Sequence, residues 1–254
     1  MPLYQAALLG LAVSQVAIFA TTIYLHRGLA HRAVKLHPAL TLLFRVDLWM
    51  TTGLRPRDWA AIHRKHHRFT DKPGDPHSPI LFGFWKVQLL NAFMYRNEAK
   101  KPDLVSTYAP ELTPDRWDRA LFDRAYLGLP IGIALAVLVA GPVGGLVLSA
   151  SHLVSYILLN AAINAIGHTR GYRRFDNTGR NSRLLALFTA GEGLHNNHHG
   201  RPASATMTAG RGEFDPAWPI LRLFEALRLA HLRRPKSENL RARRIARQPD
   251  RVAA

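Results

Sequence analysis

The 254-residue chain contains no cysteine. That excludes disulfides, thiolate zinc sites and a cysteine nucleophile together, so any metal must be held by nitrogen or oxygen. Acidic residues are few: 17 Asp and Glu stand against 34 Lys and Arg, a formal charge of +17. Such an excess suits nucleic acid or an anionic membrane surface. No nucleic-acid-binding motif accompanies it, and long uncharged runs do, so a bilayer is the expected partner and nucleic acid is not. Lysine is also scarce, 7 against 27 arginines, the balance expected of a GC-rich bacterial genome.

Histidine is what the chain has in excess, at 13 residues. Neutral imidazole suits iron, copper, zinc and nickel. Three short stretches hold most of it: His26 with His31, then His63, His66 and His67, then His195, His198 and His199 in Gly191-Glu192-Gly193-Leu194-His195-Asn196-Asn197-His198-His199. Three separated boxes with apolar segments between them point to one metal site.

Residues 3 to 25 contain no Asp, Glu, Lys or Arg, enough to cross the roughly 30 Å hydrocarbon core as a helix. A cleaved signal peptide would need a basic n-region, which is missing, and would not lead into a histidine box, so a retained span is expected. Arg27, Arg32 and Lys35 follow it, which places the box in the cytoplasm and the N-terminus outside. His26 and His31 diverge on a regular helix, so a shared site requires the helix to end or loosen there, which Gly28 permits. Two histidines at a membrane-water boundary are the plainer alternative.

Residues 36 to 54 are apolar but carry Arg45 and Asp47, and charges at a bilayer centre are costly. Crossing here would also set the first two boxes about 30 Å apart on opposite faces. A helix on the surface, or one that dips in and returns, is therefore expected. His63, His66 and His67 follow the i, i+3, i+4 pattern and share a helix face, on a metal site or on a polar surface helix. The stretch from Asp71 to Pro79 reads as a turn. Its Asp75 is either a plain loop carboxylate or the acceptor for a ligating imidazole's second N–H. Residues 82 to 117 read as short cytoplasmic helices near the membrane.

Residues 125 to 168 again lack Asp, Glu, Lys and Arg, and Gly141, Pro142, Gly144 and Gly145 divide them. This predicts a hairpin of two spans, about 125–141 and 146–166, which returns the chain to the side of the first two boxes. Asn160, Asn164 and His168 recur every four residues near its end, facing either the protein interior or a neighbouring helix. Gly171 to Arg183 reads as a basic loop, and Leu184 to Leu194 as a helix feeding the third box. Glu192, just before that box, is a candidate acceptor for an imidazole N–H. Trp218 to Leu232 reads as an amphipathic helix. From Arg233 a basic tail runs to residue 254, solvated or laid on anionic lipid. The expected fold is an all-α integral membrane protein. It has about three spans, one surface or re-entrant helix, and a cytoplasmic cap (26–124 and 167–232) carrying the boxes.

With these motifs in place, the sequence resembles the membrane-bound fatty acid desaturases, specifically the stearoyl-CoA (delta-9) group, from His26 to about Pro202. The likeness rests on the three boxes in this order and on Trp59 four residues ahead of His63. It rests also on Asp75-Pro76-His77, on Asn164 four residues before His168, on Gly171-Tyr172-Arg173, and on the stretch from Gly191 to His199. Animal members of the family have two spans before the first box where this chain has one, and the cytochrome b5 domain fused to some relatives is absent.

The resemblance implies a di-iron centre held by His26, His31, His63, His66, His67, His168, His195, His198 and His199, with Asn164 reaching an iron through a water. His37, His77, His152 and His231 fall outside that set. It implies O2 as co-substrate and a cis double bond placed in a saturated acyl chain, at delta-9, on acyl-CoA or acyl-lipid. An external electron donor such as ferredoxin with its reductase would serve it, in the bacterial cytoplasmic membrane with the site on the cytoplasmic side. Arg173 and Arg174 are candidates for the anionic head group. A hydroxylase or ketolase of the same superfamily is the nearest alternative, and a non-enzymatic metal-binding membrane protein a distant one. Ligation needs neutral imidazole, so activity is expected to fall below about pH 6.

Overall fold

The computed structural model describes residues 1–233, and the basic tail beyond Arg233 lies outside the described residues. Helix α1 (Leu3–Ala20) runs without a break into a π-helical stretch, Thr21–Ala30. Together they form 28 apolar residues of mean hydropathy 1.9. The first apolar helix thus extends to Ala30, past the boundary expected at Leu25, and takes His26 with it. The loosening expected near Gly28 is this π-helix, which begins seven residues before Gly28.

The hairpin is formed by α7 (Ala125–Ala140) and α8 (Pro142–Ala165). A single residue, Gly141 at φ +78°, makes the turn, so the second arm begins at Pro142 rather than 146. Pro142 starts it because its missing N–H lies in a first turn that needs no donor. Two helices, Leu3–Ala30 and α8, are long and apolar enough to cross a bilayer; α7 is apolar but has 16 residues, about 24 Å. Helix α1 lies along α8. Gly10 makes the crossing close, for a Cβ there would run into the Leu148 carbonyl and Ser151.

The 15-residue helix α2 (Pro38–Thr52) packs on α7 and α1 and is too short to cross. Its mid-helix charge is accounted for: buried Arg45 bonds Asp115 at 2.6 Å and Asp118 at 2.6 Å, both from the segment before α7. Then follow α3 (Pro56–Phe69), α4 (Pro79–Phe82), α5 (Phe84–Ala99), α6 (Leu104–Tyr108) and a short π turn, Asp118–Phe122. Helix α5 lies against α8, pinned by Gln88 donating to the Leu158 carbonyl at 3.0 Å, and exposes Trp85, Leu89 and Phe93 on its outer face.

Two expected helices are cut short. The one feeding the third box is only α9 (Arg183–Phe188). Ala190 at φ +50° and Gly191 at φ +99° then reverse the chain, and α10 (His195–Gly200) starts afresh. The amphipathic helix expected to reach Leu232 is α11 (Ala217–Ala226). It stops before Arg228, which is left-handed at φ +58°, and the chain continues as strand β2 (Ala230–Leu232). That strand pairs antiparallel with β1 (Val34–Leu36), matching Val34 to Leu232, so a small two-stranded sheet sits in an otherwise helical protein. The main core joins both regions: Ile18 and Ile23 of the first helix, Val34, Tyr156 of α8, Leu221 of α11 and Leu232.

Candidate metal centre

Each histidine owes its place to local geometry. In the π-helix the His31 N–H bonds the His26 carbonyl at 3.1 Å, five residues back. The wider turn brings i and i+5 onto one face, and the two rings lie 4.9 Å apart. Helix α3 presents His63, His66 and His67 together, and α10 does the same with His195, His198 and His199. His168 sits in the turn after α8, its N–H still bonded to the Asn164 carbonyl at 3.2 Å.

These side chains form two adjoining groups. His26, His31, His63, His67 and His198 make one; His66, His168, His195 and His199 make the other. Within each group the candidate ligand atoms lie within 4.8 Å of one another. Helices α3 and α10 each contribute to both groups, and the rings of His67 and His199 stack across the junction at 4.4 Å. All nine histidines of the family pattern are in these groups. Asn164 instead lines the cavity alongside His63 of one group and His195 of the other.

The inward atoms are Nε2. His31 and His63 approach to 2.7 Å, His67 and His198 to 2.7 Å, His26 and His198 to 3.0 Å, His168 and His195 to 2.9 Å, and His195 and His199 to 3.1 Å. Three of the opposite nitrogens are held by carboxylates. His26 Nδ1 lies 2.7 Å from Glu192, His66 Nδ1 3.0 Å from both oxygens of Asp75, and His168 Nδ1 2.8 Å from Asp71. A carboxylate can only accept, so the proton of each neutral ring sits on Nδ1 and the Nε2 lone pair points inward. Lone pairs at these separations repel unless a cation lies between them. A first-row cation with nitrogens about 2.1 Å away at right angles sets neighbouring nitrogens roughly 3 Å apart, which is the spacing found.

Electrostatics favour the neutral rings. Burial, then the neighbouring imidazoles, push His31, His63, His66, His195, His198 and His199 well below the ordinary histidine range, and His67 down to about 3. Burial raises the Asp75 carboxyl to about 6, which leaves it an anion at neutral pH. For Glu192 and Asp71 burial acts upward but is outweighed, by His26, Arg27 and Thr22 for the first and by His168 and Ser78 for the second, so both are lowered.

An enclosed cavity adjoins both groups. Ile18, Ile62 and Ile163 make it apolar on one side, and Trp59 stacks on His63 with ring centroids 5.0 Å apart. Thr21, Thr22, Asn91, Tyr95 and Asn160 add polar walls.

Sequence reasoning missed two participants. Asp71 was read only as part of a turn, yet it holds His168; the sign available was its place beside Asp75, just after the second box. His77 was set outside the ligand pattern, yet it packs 4.8 Å from His66 and forms a further group with His66 and Asp75. Of the other three outside that pattern, His37 caps α2, His152 donates to the Thr51 carbonyl, and His231 lies in β2. Arg174 is engaged by Glu213 at 2.5 Å, while Arg173 is exposed.

A family model described as fatty acid desaturase matches residues 2–222. The chain is 34% identical over 220 residues to an acyl-CoA C20 Delta5-desaturase of Anemone leveillei, covering 84% of this chain and 68% of that one. It is 31% identical over 219 residues to Delta-9 acyl-lipid desaturase 2 of Arabidopsis thaliana, covering 82% and 68%. It is 26% identical over 253 residues to a hex-5-enoyl-[acyl-carrier protein] acetylenase of Moorena producens, covering 91% and 77%.

Proposed function

The chain belongs to the fatty acid desaturase family, and on that footing we propose that it inserts a cis double bond into a saturated acyl chain, using O2 and electrons from an external donor. The observation that carries this reading is the pair of histidine groups, nine inward-facing imidazoles beside one enclosed cavity. Two iron ions would be held there, one by His26, His31, His63, His67 and His198, the other by His66, His168, His195 and His199, with Asn164 reached through a water. When bound, iron supplies the activation of O2 needed to remove hydrogen from an unactivated methylene.

The protein's own part is positional. Glu192, Asp75 and Asp71 hold the Nδ1 protons and so keep the ligand lone pairs aimed inward. Ile18, Ile62, Ile163 and Trp59 exclude water and give the chain an apolar wall. Fixing one stretch of chain beside the histidines decides which carbons react. Delta-9 is the working position, on acyl-CoA or acyl-lipid. Arg173 remains a candidate for the anionic head group. Exposed Lys35, Arg68 and Lys72 near the boxes suit an acidic donor such as ferredoxin. We place the chain in a bacterial cytoplasmic membrane, with α7 as a third span and the histidine-bearing cap on the cytoplasmic side.

The test is a fatty-acid profile by mass spectrometry from a bacterium expressing the chain with a ferredoxin and its reductase, beside His199→Ala. A new monounsaturated acid, absent from the variant, is the expected result. A hydroxy acid would move the protein to the hydroxylase class. An unchanged profile from an iron-free protein would overturn the di-iron reading.

A further inference from the structure

The cavity has a polar wall that a hydrocarbon chain would leave unsatisfied. Asn91 and Tyr95 lie four residues apart on α5 and so share a face. His77 comes from the turn before α4. Among the described residues, Asn91 Oδ1, the Tyr95 hydroxyl and His77 Nε2 are buried without a hydrogen-bond partner, and all three residues line the cavity. Other polar residues of the same cavity have partners: Asn160 donates to the Tyr156 carbonyl, and Thr21 bonds the Ala17 carbonyl and Tyr156. Buried polar atoms are almost always paired, so three orphans facing one cavity indicate a partner that enters it.

We propose that the substrate carries a hydroxyl group on the stretch of chain lying against α5, close to the carbons that react. A hydroxyl both donates and accepts, so it can give its hydrogen to Asn91 Oδ1 and take one from Tyr95. A carbonyl only accepts and would leave Asn91 Oδ1 unmatched. Burial holds the Tyr95 phenol well above its ordinary range, so it is a donor throughout the working pH. The inference rests on the reading of the cavity as the acyl site.

The test is equilibrium binding to the full, iron-loaded protein. The probes are stearoyl-CoA, a positional series of monohydroxystearoyl-CoA esters, and butyryl-CoA. One positional isomer is expected to bind at least about tenfold tighter than stearoyl-CoA, the effect of one or two well-made hydrogen bonds. In Tyr95→Phe, and separately in Asn91→Leu, that preference should collapse to about threefold or less. Melting temperature and iron content report folding separately, and Tyr95→Phe removes a single oxygen. If no isomer binds better than stearoyl-CoA, the wall holds water and the proposal is overturned. If butyryl-CoA binds tightly and loses affinity in Tyr95→Phe, the oxygen is the thioester carbonyl and the hydroxyl is overturned. If no acyl ester binds, the acyl reading of the cavity fails, and the hydroxyl with it.

Discussion

Asp71 accepts a hydrogen bond from His168 Nδ1 at 2.8 Å, across 97 residues of sequence. Asp71 belongs to the turn after the second box, and His168 to the turn after α8. The contact therefore ties the cap to the end of an apolar helix at the point where a ligand nitrogen must be aimed. Replacing such an outer partner typically weakens metal affinity 10- to 100-fold. Asp71→Asn should lose iron to a competing chelator about that much more readily than the wild type, measured as iron per chain after dialysis. Equal retention would remove Asp71 from any role at the centre.

A second long-range pair holds the first box in place. Arg27 gives two hydrogen bonds to Asp215, at 2.8 and 2.9 Å, and two more to the carbonyls of Ala205 and Ala190, with both residues almost wholly buried. Breaking a buried pair by removing one partner costs about 3–5 kcal/mol, because the other charge is left without compensation. Asp215→Ala should lower the melting temperature by roughly 10 °C for a chain of this size. The double variant Arg27→Met with Asp215→Leu should recover much of that loss. A double variant as unstable as the single one would refute the uncompensated-charge account.

Acid should destabilise the metal-free protein from about pH 6.5 downward. His31, His63, His66, His195, His198 and His199 lie well below the ordinary histidine value in the folded state, and His67 near 3. Between the folded and unfolded pKa values the unfolded chain binds more protons, so stability rises with pH there and falls as pH drops. Each such histidine contributes a slope of about 1.4 kcal/mol per pH unit. The folded rings themselves stay neutral at pH 5, so the simple expectation that activity fails near pH 6 should shift to lower pH. Melting temperatures of the iron-free protein from pH 7.5 to 5 would measure the slope, and a flat profile would contradict it.

The α1–α8 crossing should tolerate no side chain at Gly10. A Cβ there meets the Leu148 backbone carbonyl and Ser151, and backbone cannot move aside as a flexible side chain can. Gly10→Val should cost about 1–3 kcal/mol by overpacking. Melting temperature in detergent is the readout. A variant as stable as the wild type would mean that the two helices can separate freely.

Much of the candidate site was legible because its signals are local. The i, i+3, i+4 spacing of His63, His66 and His67, and its repeat at His195, His198 and His199, can be read within five residues. The hairpin was legible because charge is missing from 125 to 168. What stayed hidden depends on contacts between distant segments. Nothing near Arg27 announces Asp215, and nothing in the apolar run announces that backbone bonding widens at Thr21. The end of α11 was misplaced for the same reason: residues 227–232 keep an amphipathic composition, but β1 offers them a strand partner that periodicity cannot see. The division of His63 and His67 from His66 is likewise invisible in sequence, since one helix face can serve two neighbouring centres.

The strand pair has a practical consequence for handling the molecule. Val34 and Leu232 are bonded neighbours, and the Arg233 N–H bonds the Ala33 carbonyl at 2.9 Å. The chain is thereby clasped into a loop that opens and closes within three residues of His31. A protease cut, tag or truncation placed at 229–233 would look remote on a linear map. It would nonetheless pull directly on the first histidine box, so modifications at the C-terminal side belong well beyond Arg233.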